Sequence, residues 1–329
     1  MHTRDLANHI ACKPAGAMVV AASRPCTSSS LRVCLRAFAS LRLMVSVAAL
    51  LVTMLAGRAA KAFPPLLFAA EGAKTIIRYD ETGQVAWEYP AEMSRDVWLL
   101  PNGNMLFCYN DNYDSSKNDN PSGVMEVSPN KQVVFHFKTT GQVWSCQRMA
   151  DGNTLVGAAS QGKLLIVSPK AEVVREIKLI NRGGHSCIRN ARQIKGGDFL
   201  VAEESARAVR RYSPEGKLVR EIKLSFAPYS AVLLENGNIL ACGQQTMVEV
   251  DEADKIVWSL EGKELPDLGV RWFAGIQVLP GGNICICNAG GKIGFFEITR
   301  EKKIAWQSKE GFPMGHGIQR LDVKGEAVK

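Results

Sequence analysis

Past residue 62 the chain carries three histidines, and two of them, His185 and His316, stand just ahead of a short apolar segment. Arg95 with Asp96, Trp144, Arg189, Tyr229, and Arg271 with Trp272 hold the same station elsewhere. Trp and Tyr rings stack on sugar or other planar faces, while Arg and His supply hydrogen bonds, so this set suits a small polar ligand such as a carbohydrate, or a protein partner. The same residues also read as packing, with the rings filling gaps between repeats and the arginines solvated or paired. No nucleophile, base and orienting group stand at a recognisable spacing, so no catalytic residue is assigned. Glu203 and Glu204 are adjacent carboxylates, but successive strand residues face opposite sides, which lets at most one reach a shared site.

The elements that must position these residues repeat. Turn glycines at 103, 152, 197, 237, 282 and 325 mark copies such as Asp96-Val-Trp-Leu-Leu-Pro-Asn-Gly-Asn-Met-Leu-Phe and Ser230-Ala-Val-Leu-Leu-Glu-Asn-Gly-Asn-Ile-Leu-Ala. A repeat of roughly 40–50 residues is the mark of a propeller or another stacked array. Five residues past each turn glycine comes a small residue, Cys108, Gly157, Ala202, Cys242 or Cys287, and a second turn follows, as in Asp80-Glu-Thr-Gly and Ser213-Pro-Glu-Gly. Each copy therefore reads as strand A, Gly turn, strand B, loop, strand C, second turn, strand D. The last copy has only an A strand, and residues 66–89 supply B, C and D without an A. Joining 317–322 to them closes the ring without a free edge. The expected fold is all-β, a six-bladed β-propeller of four-stranded antiparallel blades, filling residues 63–329 as one domain.

On one face of such a ring the turns are uniform. On the other, Asn110–Ser122 and Leu260–Phe273 lengthen single loops, and irregular loops on a rigid scaffold are the usual carriers of function. The nine residues named first fall on that face near the axis. Gln147, Arg192, Gln277 and Gln319 are polar residues within A strands, set either to line a central channel or to hydrogen-bond neighbouring blades.

Asp80-Glu-Thr-Gly-Gln-Val-Ala-Trp87 resembles the blade motif of the PQQ-like, or quinoprotein-like, β-propeller repeat family. Asp251–Trp258 and Thr299–Trp306 keep the Trp and lose the Thr-Gly. Leu100-Pro-Asn-Gly-Asn104 is also similar to repeats of arylsulfotransferase-like propellers. The first likeness implies eight blades and dedicated metal ligands for a quinone; six blades and one full motif speak against PQQ here. The second implies an enzyme of transferase or lyase type working through axial His and Arg, which His185 and His316 fit, although Arg95-Asp96 stands where that family would place a His.

Residues 1–62 hold eight of the chain's 40 basic residues and one of its 32 acids, which leaves 32 basic against 31 acidic residues in the body. That balance gives no footprint for nucleic acid or anionic lipid. Arg42, the apolar run 44–56 and Ala60-Lys61-Ala62 have the order of a secretory signal peptide cleaved after 62, with Met1, Met18 or Met44 as the start. The run is shorter than the roughly 20 residues a span needs, so the mature protein is expected to be periplasmic or extracellular, without an integral membrane segment. No cofactor is expected. Asn110–Pro121 is rich in oxygen ligands that could chelate calcium but lacks an EF-hand's alternating acids and Gly, and a solvated loop is the plainer reading. Of the six remaining cysteines, three share the small-residue position, and Cys146 with Cys187 is the one pair placed to bridge. An exported ligand-binding propeller is the leading reading, with the enzyme and a pure assembly scaffold as alternatives.

Overall fold

A computed structural model of the chain describes residues 63–117, 119–323 and 329. The signal segment, its cleavage point, the choice of start and the Gly325 turn lie outside the described residues. Six four-stranded antiparallel sheets form the blades of a β-propeller. Numbered from the closing blade, their innermost A strands are Gly317–Arg320, Val97–Leu99, Val143–Arg148, Asn190–Gln193, Ser230–Leu233 and Phe273–Val278. Blade 1 is closed as the repeat predicts: Gly317–Arg320 pairs antiparallel with Leu66–Ala70, Ile318 opposite Phe68.

Local chemistry explains the uniform face. The A–B turns place Gly103, Gly152, Gly197, Gly237 and Gly282 at φ between 84° and 93°, a region that costs an L side chain energy and glycine nothing. The C–D turns need the same geometry. Gly83 and Gly216 supply it freely, while Lys131, Ala171, Asp254 and Lys302 adopt φ of 61–64°.

Blades are joined by contacts that recur from one to the next. Gln319 Oε1 accepts from Leu99 N at 2.7 Å, Gln147 Oε1 from Gln193 N at 2.7 Å, and Gln277 Oε1 from Arg320 N at 2.6 Å. These A-strand glutamines thus stitch blades 1, 3 and 6 to the blades that follow them. A second device repeats farther out, where Glu126, Glu249 and Glu297 on C strands each accept from Asn side chains of their own A–B turn and from an Arg of the next blade, Arg148, Arg300 or Arg320. Blade 4 inverts the charges, with Arg211 at the Glu position donating to Asp198 at the Asn position. The Trp of the blade motif is a third tie: Trp87 Nε1 donates to Pro129 O and Trp258 Nε1 to Arg300 O on neighbouring second turns.

All six cysteines of the described region are free and buried. Cys146 packs in the same apolar cluster as Cys108, while Cys187 Sγ lies 3.6 Å from Asn181 O, so Cys146 and Cys187 do not bridge. The Asn110–Pro121 loop closes on itself, Asn120 capping Asp114 N and the carbonyls of Asp114 and Lys117. Among the described residues no three His, Cys, Asp or Glu form a metal-holding group, and no helix is long and apolar enough to cross a membrane.

Candidate functional site at the axial mouth

The residue immediately before the small A-strand position forms a ring, one side chain per blade. It reads His316, Arg95, Trp144, Arg189, Tyr229 and Ala274 from blade 1 to blade 6. The backbone row behind it is Gly317, Asp96, Ser145, Asn190, Ser230 and Gly275, small or polar because it abuts the small residues of strand B. Gly275 is required there, since a Cβ would meet His316 O at 2.0 Å.

Ring side chains engage one another across blade boundaries. Arg95 donates from Nε to Glu71 Oε2 at 2.5 Å and from Nη2 to Oε1 at 3.3 Å, and its guanidinium lies 4.1 Å from the Trp144 ring centroid. His316 Nδ1 sits 3.0 Å from Glu71 Oε2, out of line for a full hydrogen bond, and its ring stacks on Tyr229 at 5.3 Å. Arg189 donates to Glu204 and covers the Tyr229 ring at 5.9 Å. Beyond them, His185 Nδ1 lies 2.8 Å from Tyr113 OH and 2.9 Å from Gln142 Oε1, and Trp144 Nε1 donates to His185 O. The side-chain oxygen of Gln142 assigns the ring proton of His185 to Nδ1, leaving Nε2 as an acceptor.

Charge is balanced pairwise. Burial disfavours the Glu71 carboxylate, but His316 and Arg95 outweigh it and hold its pKa below the usual range. Burial also lowers His316, against the pull of Glu71. Arg95 is the permanent cation that keeps Glu71 ionised. Burial, then Arg189 and Arg95, lower His185 to about 4, so it is neutral at pH 7.

No family model matches this chain, and no curated protein does. Solved structures share its fold. A protein of unknown function from Bacteroides caccae is similar at 26% identity and TM-score 0.66, over 78% of this chain and 98% of that one. A streptogramin B lyase aligns at 14% identity and TM-score 0.57, over 79% and 88%. A catalytically inactive virginiamycin B lyase from Staphylococcus aureus, solved with quinupristin, aligns at 12% and 0.55, over 79% and 89%. These likenesses establish the six-bladed propeller. The PQQ-like resemblance remains a likeness of blade motifs.

The structure gathers Arg95, Trp144, His185, Arg189, Tyr229 and His316 around one mouth. It leaves three other candidates out of that set. Asp96 borders the same axial cavity, but it accepts from Val97 N, Cys146 N and both Nη atoms of Arg192 and has Lys329 Nζ at 3.5 Å, so its oxygens are occupied by the scaffold. Arg271 is exposed, beside Gly290, and Trp272 packs against the apolar cluster around Phe295. A bulge between Phe273 and Ile276 shifts the register, so Ala274 takes the ring position in blade 6. Glu71, Tyr113 and Gln142 went unread because they come from B–C and D–A loops rather than from the repeat. Glu203 and Glu204 do point apart: Glu203 is buried against Arg210 and Tyr212, and Glu204 meets Arg189.

Proposed function

We propose that this protein is exported and uses the axial mouth to bind a small polar ligand, without catalysis. What carries the reading is the ring itself. The Glu–Asn–Arg clamp farther out recurs in three blades, whereas this ring gathers Arg95, Trp144, Arg189, Tyr229 and His316 around one mouth. A scaffold needs no such variety. The half-buried Tyr113 supplies a flat face and the half-buried His185 a hydrogen bond, with Trp144 and Tyr229 packed beneath them. Export rests on Arg42, the apolar run 44–56 and the small-residue site at 60–62, and mass spectrometry of protein recovered outside the cytoplasm should find Phe63 as its first residue.

A thermal-shift screen of the full-length protein against neutral, acidic and amino sugars should find a stabilising compound, because binding to the native state raises the melting temperature. Trp144→Ala and His185→Ala should abolish the shift. A compound that stabilises these variants as well as the parent binds elsewhere and removes the assignment. A lyase reading draws support from the named lyases of the same fold, but a histidine with a pKa of about 4 is a weak proton acceptor at neutral pH. Turnover of a streptogramin B or an aryl sulfate, lost in His316→Ala, would replace binding with catalysis.

A further inference from the structure

On the uniform face the A strands break their repeat a second time, two residues past Gly317, Asp96 and their counterparts. Blades 1, 3 and 6 place the stitching Gln319, Gln147 and Gln277 there, whereas blades 2, 4 and 5 place Trp98, Arg192 and Val232. Those three line one basin of about 650 Å³ at the axis, a size that suits a small ligand. Lys329 lines it too, and also borders the small axial cavity beneath the mouth. The lysine therefore stands across the axis between the two faces.

Lys329 is held as a ligand would be. Its Nζ donates to Val97 O, lies 3.5 Å from Asp96 Oδ1 and sits 4.1 Å from the Trp98 ring centroid. Arg192 completes the surroundings: it donates from Nε to Lys329 O at 3.0 Å and from both Nη atoms to Asp96, with its guanidinium 4.9 Å from the same ring. The side chains of Lys329, Asp96 and Arg192 are only 4%, 3% and 5% exposed. A lysine is almost never buried this fully unless paired, because an ammonium is costly to take out of water, and well-packed apolar side chains fill such a space at no greater cost. What the buried charge adds is a seat for an ammonium: a carboxylate, a carbonyl and an indole face around one point, beside an open basin.

We propose that the floor of this basin is a binding site for a small aliphatic primary amine, bound as its ammonium, and that Lys329 fills the site in cis. The site lies on the face away from the mouth and does not depend on the mouth's function. Ile194, Leu233 and Leu234 line the basin and suit the amine's aliphatic stem. The amine takes the seat when the Lys329 side chain withdraws, so the lysine sets the concentration at which binding begins.

Isothermal titration calorimetry of the full-length protein and of Lys329→Ala, with butylamine and butanol, tests it. Butylamine should bind Lys329→Ala at least about ten-fold more tightly than the parent and raise its melting temperature, while uncharged butanol should bind neither. In the Lys329→Ala background, Asp96→Asn should abolish amine binding; because it weakens the hold on Arg192 and can unfold the protein, Trp98→Leu serves beside it and should weaken the amine about ten-fold. In the parent, acetic anhydride should modify Lys329 about ten-fold more slowly than the exposed Lys131, read by mass spectrometry. Equal rates at the two lysines would remove Lys329 from the seat and overturn its role. Butylamine binding Lys329→Ala no more tightly than the parent, or butanol binding as well as butylamine, would overturn the amine site.

Discussion

Two polar rows run around the same propeller and have opposite character. The outer row, Glu126, Glu249 and Glu297 with their turn asparagines and neighbouring arginines, repeats its chemistry and satisfies its carboxylates. At the mouth, the ring of Arg95, Trp144, Arg189, Tyr229 and His316 does not repeat from blade to blade, and Arg189 Nη1 and Tyr229 OH have no hydrogen-bond partner among the described residues. Both rows sit on the same kind of backbone at corresponding places in each blade. What separates them is that polar groups in the first hold blades together, whereas groups in the second are held ready. Stability and recognition are thereby assigned to different positions of one repeat.

The sharpest way to break this contrast is at the scaffold. Asp96→Ala removes a buried acceptor shared by Arg192 and two backbone amides, and should cost about 3–5 kcal/mol because it strands a buried charge. Thermal melts should fall by about 2–4 °C per kcal/mol for a domain of this size. Glu249→Ala, in the outer clamp where the partner Arg300 is partly exposed, should cost less, about 1–3 kcal/mol. A loss from Tyr229→Ala as large as that from Asp96→Ala would erase the distinction, since the ring would then be structural.

pH sharpens it further. His185 titrates near 4 in the folded chain against 6.5 as its ordinary value. Between those values the unfolded chain binds a proton that the folded one refuses, so stability is present above 6.5 and is lost as pH falls toward 4. The half-buried position reduces the effect to on the order of 1–2 kcal/mol. His185→Gln should flatten the melting temperature between pH 6.5 and 4, and an unchanged slope would refute the burial argument. The smallest expected effect is on the uniform face, where Ala171→Gly relieves φ of 62° and should raise stability by about 0.5–1 kcal/mol in a denaturant melt.

Much of this was legible before any coordinates. The turn glycines, the small residues at 108, 157, 202, 242 and 287, and the A strand at 317 that lacked partners fixed the blade count and the closure, because a repeat must satisfy the same steric demand in each copy. Five members of the ring, Arg95, Trp144, Arg189, Tyr229 and His316, were legible for the same reason: they precede a marked position. The rest was hidden where the repeat breaks. The bulge after Phe273 moved Arg271 and Trp272 out and Ala274 in. Glu71 and Tyr113 carry no register signal, since loops reach the mouth by length and not by periodicity. The pairing of Cys146 with Cys187 failed because it compared strand starts and ignored which face each sulfur takes.

The amino-acid order alone set the number of blades, the way the ends meet and the belt of dissimilar side chains, since turn chemistry and strand alternation are local and each copy reports on the others. Only the folded ring decided which of those side chains remain available. Whether Asp96 meets Arg192, and whether a nitrogen of Arg189 finds a partner, depends on groups as far as 96 residues away in the chain, and no local rule reaches that far.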